Sequence, residues 1–145
     1  MPRLLAPGHL GGAESVKPVI VHGDLWSGNC GRGSVLGRGL ENGGASLEEV
    51  VFDPSACYAH SEYELGIMRM FGGFGGAFIK EYHSLVPKTE PVEEYEDRVK
   101  LYESYHHLNH WAIFGGGYKR GAVGILRALC RKYANEDGKS RVVAE

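Results

Sequence analysis

Residues 19 to 29 read V-I-V-H-G-D-L-W-S-G-N. Three β-branched apolar residues lead into a histidine, an aspartate and a tryptophan, and an asparagine closes the stretch. Asp24 and Asn29 stand in the pattern H-x-D-x-x-x-x-N, which suits phosphoryl transfer. That reaction asks little covalent chemistry of the protein; it needs an oriented hydroxyl and neutralised phosphate charge. A carboxylate at Asp24 can accept the hydroxyl's proton, and the amide oxygen of Asn29 can ligate Mg²⁺, a hard cation that takes oxygen donors. Asp24 is a weak base at neutral pH, which is tolerable because the proton can leave late in a loose transition state.

A second acid stands in V-V-F-D-P, where Asp53 leaves a strand-favouring run. Two aspartates converging on one site repel each other unless a cation lies between them, and Mg²⁺ would resolve that conflict. Taken singly, an Asp before a turn is more often an Asx turn or a helix cap. His22 reads as a structural residue that hydrogen-bonds the loop. His60 and Glu62, in Y-A-H-S-E, read as a helix start, with His60 ordering the loop. His106 and His110 are four apart on one helical face, beside His107, but two ligands are too few for a structural zinc site and no third is evident. A buried hydrogen-bonding histidine is the better reading there. Phe71, Phe74, Trp111 and Phe114 read as core or pocket wall.

The elements that must position these groups follow from punctuation and period. Residues 18–21 and 49–53 read as strands that form a small hairpin-like sheet. Ser61 and Glu64 have capping-box spacing, so a helix is expected from Ser61 to Gly72. A short helix is expected over 77–84, and Pro91 opens what reads as the longest one, with Glu93, Glu94 and Glu96 complementing its dipole. Its inward face is Tyr95, Val99, Tyr102, His106, Asn109 and Ile113, and Gly115 ends it. A last helix over about 120–133 should bury Val123, Leu126, Ala128, Leu129 and Cys130. Residues 1–17 read as a poorly ordered lead-in, 18–134 as the folded body and 135–145 as a frayed polar tail. The fold class is α+β: a two-stranded sheet against a mostly helical bundle.

At 145 residues the chain is one domain's worth. Its net charge of −2, with Lys and Arg scattered, lacks the electrostatic footprint of a nucleic-acid binder. No apolar run approaches a membrane span, and the first residues contain no cleavable signal. Cys30, Cys57 and Cys130 are odd in number and widely spaced, so neither a disulfide framework nor a structural zinc site is expected, and a reducing cytoplasm is. Glycine is abundant, at 22 residues, notably in 31–44, 72–76 and 115–117. These runs punctuate elements; none completes G-x-G-x-x-G or ends in G-K-[ST], so none is a phosphate cradle.

H-G-D-L-W-S-G-N, F-D-P-S-A-C-Y-A-H-S-E-Y-E-L, M-F-G-G-F, Y-H-S-L-V-P-K and L-N-H-W-A-I-F-G-G-G-Y together resemble successive signatures of the fructosamine/ketosamine-3-kinases, also called protein-ribulosamine 3-kinases. These belong to the aminoglycoside-phosphotransferase and choline-kinase-like branch of the protein-kinase fold. The likeness runs from about Pro18 to about Leu129, and the tryptophan after H-G-D-L sets the family apart from choline or aminoglycoside kinases. The resemblance implies that Asp24 is the catalytic base for the sugar's 3-hydroxyl, that Asn29 and Asp53 hold Mg²⁺ on ATP, and that Trp26 lies along the sugar or its amine. It implies ketosamines as substrates, on glycated proteins or free, and a deglycation repair role. Only 21 residues precede His22, with Lys17 the one lysine among them. The strand lysine for ATP and the Gly-rich loop of the smaller lobe are therefore not found, and the chain resembles the C-terminal lobe alone. A missing N-lobe, supplied elsewhere, or a homo-oligomer would then complete it. The alternative is a non-catalytic, pseudokinase-like binding module; retention of Asp24, Asn29 and Asp53 together favours the enzyme.

Overall fold

The structure is a computed structural model that describes residues 2–11, 16–34 and 47–142. Four short strands come first: β1 (Val19–Val21), β2 (Cys30–Gly33), β3 (Glu48–Val51) and β4 (Cys57–Ala59). Four helices follow: α1 (Glu62–Phe71), α2 (Gly76–Leu85), α3 (Tyr95–Phe114) and α4 (Tyr118–Val142). The expected α+β class, a mostly helical body with small antiparallel sheets, holds. The pairing of strands differs from the single hairpin that local propensity predicts. Strand β1 pairs antiparallel with β4, Val19 opposite Ala59, and β2 pairs antiparallel with β3, Cys30 opposite Val51. The two ladders are nested, so the loop after β1 sits inside the outer pair. Strand β2 is C-G-R-G and β4 has three residues, and neither carries the alternation that marks a strand. Most of the glycine-rich run at 31–44 lies outside the described residues.

Helix α3 is the axis of the bundle, packed on α1 along one side and α4 along the other. Leu65 and Met68 of α1 bury against Tyr95 and Val99 of α3, with Leu25, Phe74, Ile79 and Tyr82 packed around them. The approach is close: a Cβ on Gly66 would lie 2.8 Å from the backbone of Tyr102 and Glu103. Helix α1 ends at Gly72 and α3 at Gly115, both at positive φ, where glycine avoids the steric cost of a side chain.

A buried ion pair locks this crossing. Glu62 and Arg98 are 1% and 0% exposed in their side chains. Arg98 donates through Nε to Oε2 of Glu62 at 2.7 Å and through Nη2 to Oε1 at 2.9 Å. The guanidinium also donates to the carbonyls of Thr89 and Pro91, and the Thr89 N–H donates to Glu62 at 3.0 Å. One charge pair thus fastens α1, α3 and the segment between α2 and α3, with the hydrogen bonds that buried charge requires.

Other expectations change with tertiary packing. Pro2–Leu5, inside the expected lead-in, form a 3-10 turn, and Leu4 is fully buried against Leu129 and Tyr133 of α4. A single turn has no period to betray it. On α3 the inward stripe buries Tyr95, Val99 and His106, but Asn109 and Ile113 are exposed because no described element covers that face of the helix's last turns. Helix α4 is longer than α3, continuing to Val142 rather than ending near 133, and it exposes Ala128 and Cys130. No helix among the described residues is long and apolar enough to cross a membrane.

Removing one member of the Glu62–Arg98 pair leaves a buried charge uncompensated. Arg98→Met is therefore expected to cost about 3–5 kcal/mol of stability in urea titration. Adding Glu62→Gln to it should cost less than the sum of the two single changes, because no unpaired charge then remains.

Candidate active site

Strand β1 buries Val21 and delivers the next eight residues as a loop whose amides converge on one carboxylate. Glu64, 5% exposed in the first turn of α1, accepts the N–H groups of His22 at 2.6 Å, Gly23 at 3.1 Å and Leu25 at 3.2 Å. Glu64 is the residue that capping-box spacing assigns to Ser61. In the structure Ser61 is helical and makes no side-chain cap bond, so the carboxylate serves the loop instead. Its signal in the sequence is the pair Glu62 and Glu64 opening an otherwise apolar helix, since two acids at a buried helix start require partners. Gly23 has φ +81°, and a Cβ there would fall 2.2 Å from the Ser55 carbonyl oxygen; only glycine fits.

His22 ties the loop to the end of β3. Its Nδ1 accepts the Asp24 N–H at 3.3 Å, so the ring proton sits on Nε2 and is donated to the Phe52 carbonyl at 2.9 Å. One neutral tautomer satisfies both bonds. Asn29, 7% exposed, donates from Nδ2 to the Asp24 carbonyl at 2.9 Å and to Asp24 Oδ2 at 3.0 Å. Its own carbonyl accepts the Phe52 N–H at 3.1 Å. Asp24, Asn29 and the strand end before Asp53 are therefore held in one hydrogen-bonded frame. With its N–H₂ group given to Asp24, the Asn29 side chain has its oxygen left as an acceptor.

Asp53 sits at φ +57°, the one non-glycine residue in the left-handed region among those described. Such a conformation is costly for an L-residue and is more common for Asp than for most. Its carboxylate takes no hydrogen bond from the described residues. Among them no group of three or more His, Cys, Asp or Glu could cage a metal ion. The donors that do meet, the Asn29 amide and the Asp24 carboxylate, are of the hard oxygen type that suits Mg²⁺.

Trp26 folds over Gly28, whose Cβ would fall 2.2 Å from the indole, and packs on Phe71 at 5.1 Å between ring centroids. Phe71 continues to His110 at 5.1 Å, and His110 to Tyr118 at 5.3 Å and Phe114 at 5.7 Å. An aromatic wall thus runs from the loop to the junction of α3 and α4. Gly73 abuts the loop, since a Cβ there would lie 2.2 Å from Ser27.

The structure does not bring His60 and Glu62 to this loop. His60 Nδ1 bonds the Tyr102 hydroxyl at 2.9 Å and its Nε2 the Thr89 hydroxyl at 2.7 Å. Both residues order the segment at Thr89 and Pro91. His106 is 2% exposed and 3.4 Å from the Tyr63 carbonyl, a buried histidine and not half of a zinc pair. Burial pushes the imidazoles of His60 and His106 below their ordinary value, with Glu62 pulling His60 back up and the Tyr63 carbonyl and Asp24 doing so for His106.

The family model described as fructosamine kinase matches residues 9–132. The chain is 42% identical over 116 residues to the ketosamine-3-kinase of Mus musculus, covering 80% of this chain and 33% of that protein. It is 40% identical to a chloroplastic protein-ribulosamine 3-kinase of Oryza sativa subsp. japonica, covering 77% of this chain and 28% of that one. A crystal structure from Thermobifida fusca that carries a provisional fructosamine-3-kinase name superimposes with a TM-score of 0.61 at 26% identity, over 82% of this chain and 36% of its own. The chain spans about a third of the length of the curated relatives it matches.

Two outcomes test this frame. Glu64→Gln places a donor against three N–H groups, so it should cost about 1.5–3 kcal/mol and speed hydrogen exchange at His22, Gly23 and Leu25. Stability should also fall on acidification. The unfolded chain's histidines take up protons near 6.5 while folded His60 and His106 stay neutral to lower pH, so stability is intact well above that value and lost as pH drops through it. Urea midpoints between pH 7 and pH 5 should show that slope, and the double variant His60→Gln, His106→Gln should flatten it.

Proposed function

The chain belongs to the fructosamine kinase family, and from that premise we propose that it is the acceptor-binding lobe of an ATP-dependent ketosamine 3-kinase. Asp24 accepts the proton of the sugar's 3-hydroxyl as phosphorus is transferred to that oxygen. Asn29 clamps the Asp24 carboxylate from one side, and its amide oxygen, with the Asp53 carboxylate, is the pair that would hold Mg²⁺. Bound there, the ion would offset negative charge on the ATP phosphates. Trp26 offers the sugar a flat apolar face beside Asp24. The substrates are ribulosamine or fructosamine adducts of lysine, on glycated proteins or free, and phosphorylation starts their removal.

The observation that carries this reading is the double hydrogen bond from Asn29 to Asp24 together with the Asn29 carbonyl's bond to the Phe52 N–H. It binds the two halves of a phosphotransfer motif into a single unit, one residue before Asp53. The rest of a two-lobed kinase would cover the sheets, where Ile20 and Tyr58 face each other across β1 and β4 at 70% and 77% exposure. Three free cysteines fit a reducing compartment, for which we propose the cytoplasm.

Calorimetry of the chain with Mg-ATP and, separately, with Nε-ribulosyl-Nα-acetyl-lysine tests the reading. Both should bind, and Asp53→Ala should abolish Mg-ATP binding and spare the ketosamine. In a phosphoryl-transfer assay with the nucleotide-binding lobe supplied, Asp24→Asn should lower turnover by about 10²- to 10⁴-fold with little effect on substrate binding. Binding of the ketosamine without Mg-ATP would instead make the chain a recognition module, and binding of neither would overturn the proposal.

A further inference from the structure

Residues 104–135 hold five of the chain's 16 Lys and Arg and none of its 18 Asp and Glu. In a chain of net charge −2 that is a local reversal of sign, and α4 gives it a shape. Lys119, Arg120 and Arg127 line a groove of about 430 Å³, with Val123 and Gly124 between them. A Cβ on Gly124 would meet nothing within 4 Å, so the groove is open there. Lys119 Nζ stands 4.8 Å from the centre of the Trp111 ring. Among the described residues, the ion pairs of Lys and Arg with carboxylates use Arg3, Arg32, Arg69, Arg98 and Lys132, and none uses the three cations of the groove. Three like charges lining one concavity repel each other, and a carboxylate that enters relieves the repulsion.

Two observations say what kind of anion fits. The positive region is one groove on a chain that is acidic as a whole, which favours a short acidic segment over a long polyanion such as a nucleic acid. The groove also lies close to the loop that carries Asp24. Ring-to-ring steps of 5.1, 5.1 and 5.3 Å lead from Trp26 through Phe71 and His110 to Tyr118, the residue before Lys119. An extended polypeptide covers ~3.3–3.6 Å per residue, so a chain held at Trp26 reaches the groove within about five residues.

We infer that the groove on α4 is a docking site for an acidic polypeptide segment, the stretch of a glycated protein that flanks the modified lysine. Arg120 and Arg127 pair with its Asp or Glu side chains, Lys119 adds a third charge beside Trp111, and Val123 and Gly124 leave room for its backbone. The inference rests on the ketosamine reading and adds to it a sequence preference: among glycated lysines, those with acids a few residues away are held at two places instead of one. Two linked contacts bind more tightly than either alone, because the second forms at the effective concentration set by the first. A free adduct, which has no flanking chain, gains nothing from the groove.

The test measures calorimetric affinity for two peptides that share a central Nε-ribulosyl-lysine, one with Glu-rich and one with Gln-rich flanks, for the unglycated Glu-rich peptide, and for free Nε-ribulosyl-Nα-acetyl-lysine. The unaltered chain should favour the Glu-rich glycated peptide by about 3- to 30-fold at low salt, the combined worth of two or three exposed ion pairs. High salt should bring that ratio to within about twofold. Two variants address the groove: the double change Arg120→Gln, Arg127→Gln removes charge from exposed side chains, and Gly124→Glu sets a carboxylate in open space on a helix that gains by losing a glycine. Each should abolish the preference and leave affinity for the free adduct unchanged, with circular dichroism establishing that it is folded. A preference that survives in either folded variant, or a loss that extends equally to the free adduct, overturns the groove and leaves the kinase reading standing. Stronger competition by a single-stranded oligonucleotide than by the Glu-rich peptide overturns the choice of a polypeptide. If the free adduct does not bind while the unglycated Glu-rich peptide binds and loses affinity in both variants, the ketosamine reading falls and the acidic-peptide groove stands; if neither binds, both fall.

Discussion

A single carboxylate, Glu64, sets the shape of the site. Its two oxygens accept three consecutive-region amides, those of His22, Gly23 and Leu25, and in doing so curl the loop around the first turn of α1. That arrangement solves two problems together. A glutamate that is 5% exposed has its charge met by hydrogen bonds, and a loop that runs inward has its N–H groups met without a sheet or water. Because Glu64 lies on a helix packed against α3, the loop inherits the rigidity of the helical core. Leu25, bonded to Glu64 through its N–H, also packs its side chain on the Leu65–Met68–Tyr95–Val99 cluster, so polar and apolar contacts fix the same residue.

Two residues earlier on α1, Glu62 makes the complementary connection. Its partners lie on the other side, in Arg98 and Thr89. A helix that begins E-Y-E thus spends both acids on long-range contacts, one toward the strands and one toward α3. Neither is arranged as a helix-dipole partner at the surface, the ordinary use of acids in a first turn. The chain could build this lobe with an apolar α1 start and lose no packing, since buried pairs often contribute little beyond a well-packed apolar replacement. What the charges add is registry: they determine which loop amides and which residue of α3 meet α1.

Local chemistry was legible in the sequence to the extent that it is local. The spacing of Asp24 and Asn29, the strands around 19–21 and 48–51, and the helix stops at Gly72 and Gly115 are short-range signals, and the structure has elements at those places. What sequence pattern misses is carried by partners far apart along the chain. Glu64 meets residues some forty positions earlier, and Glu62 meets Arg98 thirty-six later; a capping box is the only local meaning that Ser61 and Glu64 can have. The same limit explains the strands. Cys30–Gly33 has two glycines and no apolar alternation, and becomes a strand because β3 pairs with it. Period shows which residues of α3 share a face but not where the covering element stops, so Asn109 and Ile113 continue the stripe into open surface. Leu4 is the converse, a buried residue with no pattern around it.

The strain at Asp53 follows from the same frame. His22 donates to the Phe52 carbonyl and the Asn29 carbonyl receives the Phe52 N–H, so the peptide groups on both sides of Phe52 are committed before the chain reaches Asp53. Pro54 follows, and its ring pushes the preceding residue out of the right-handed helical region. At Asp53 the backbone nonetheless turns through φ +57° in place of the extended conformation that a following proline favours, and this costs an L-residue roughly 1–2 kcal/mol. A glycine there would remove the cost and also the carboxylate. Aspartate adopts that conformation more readily than most residues, and unlike glycine it places a carboxylate at the strand end. The loop bonded to Glu64 supplies the rigidity against which that strain is held.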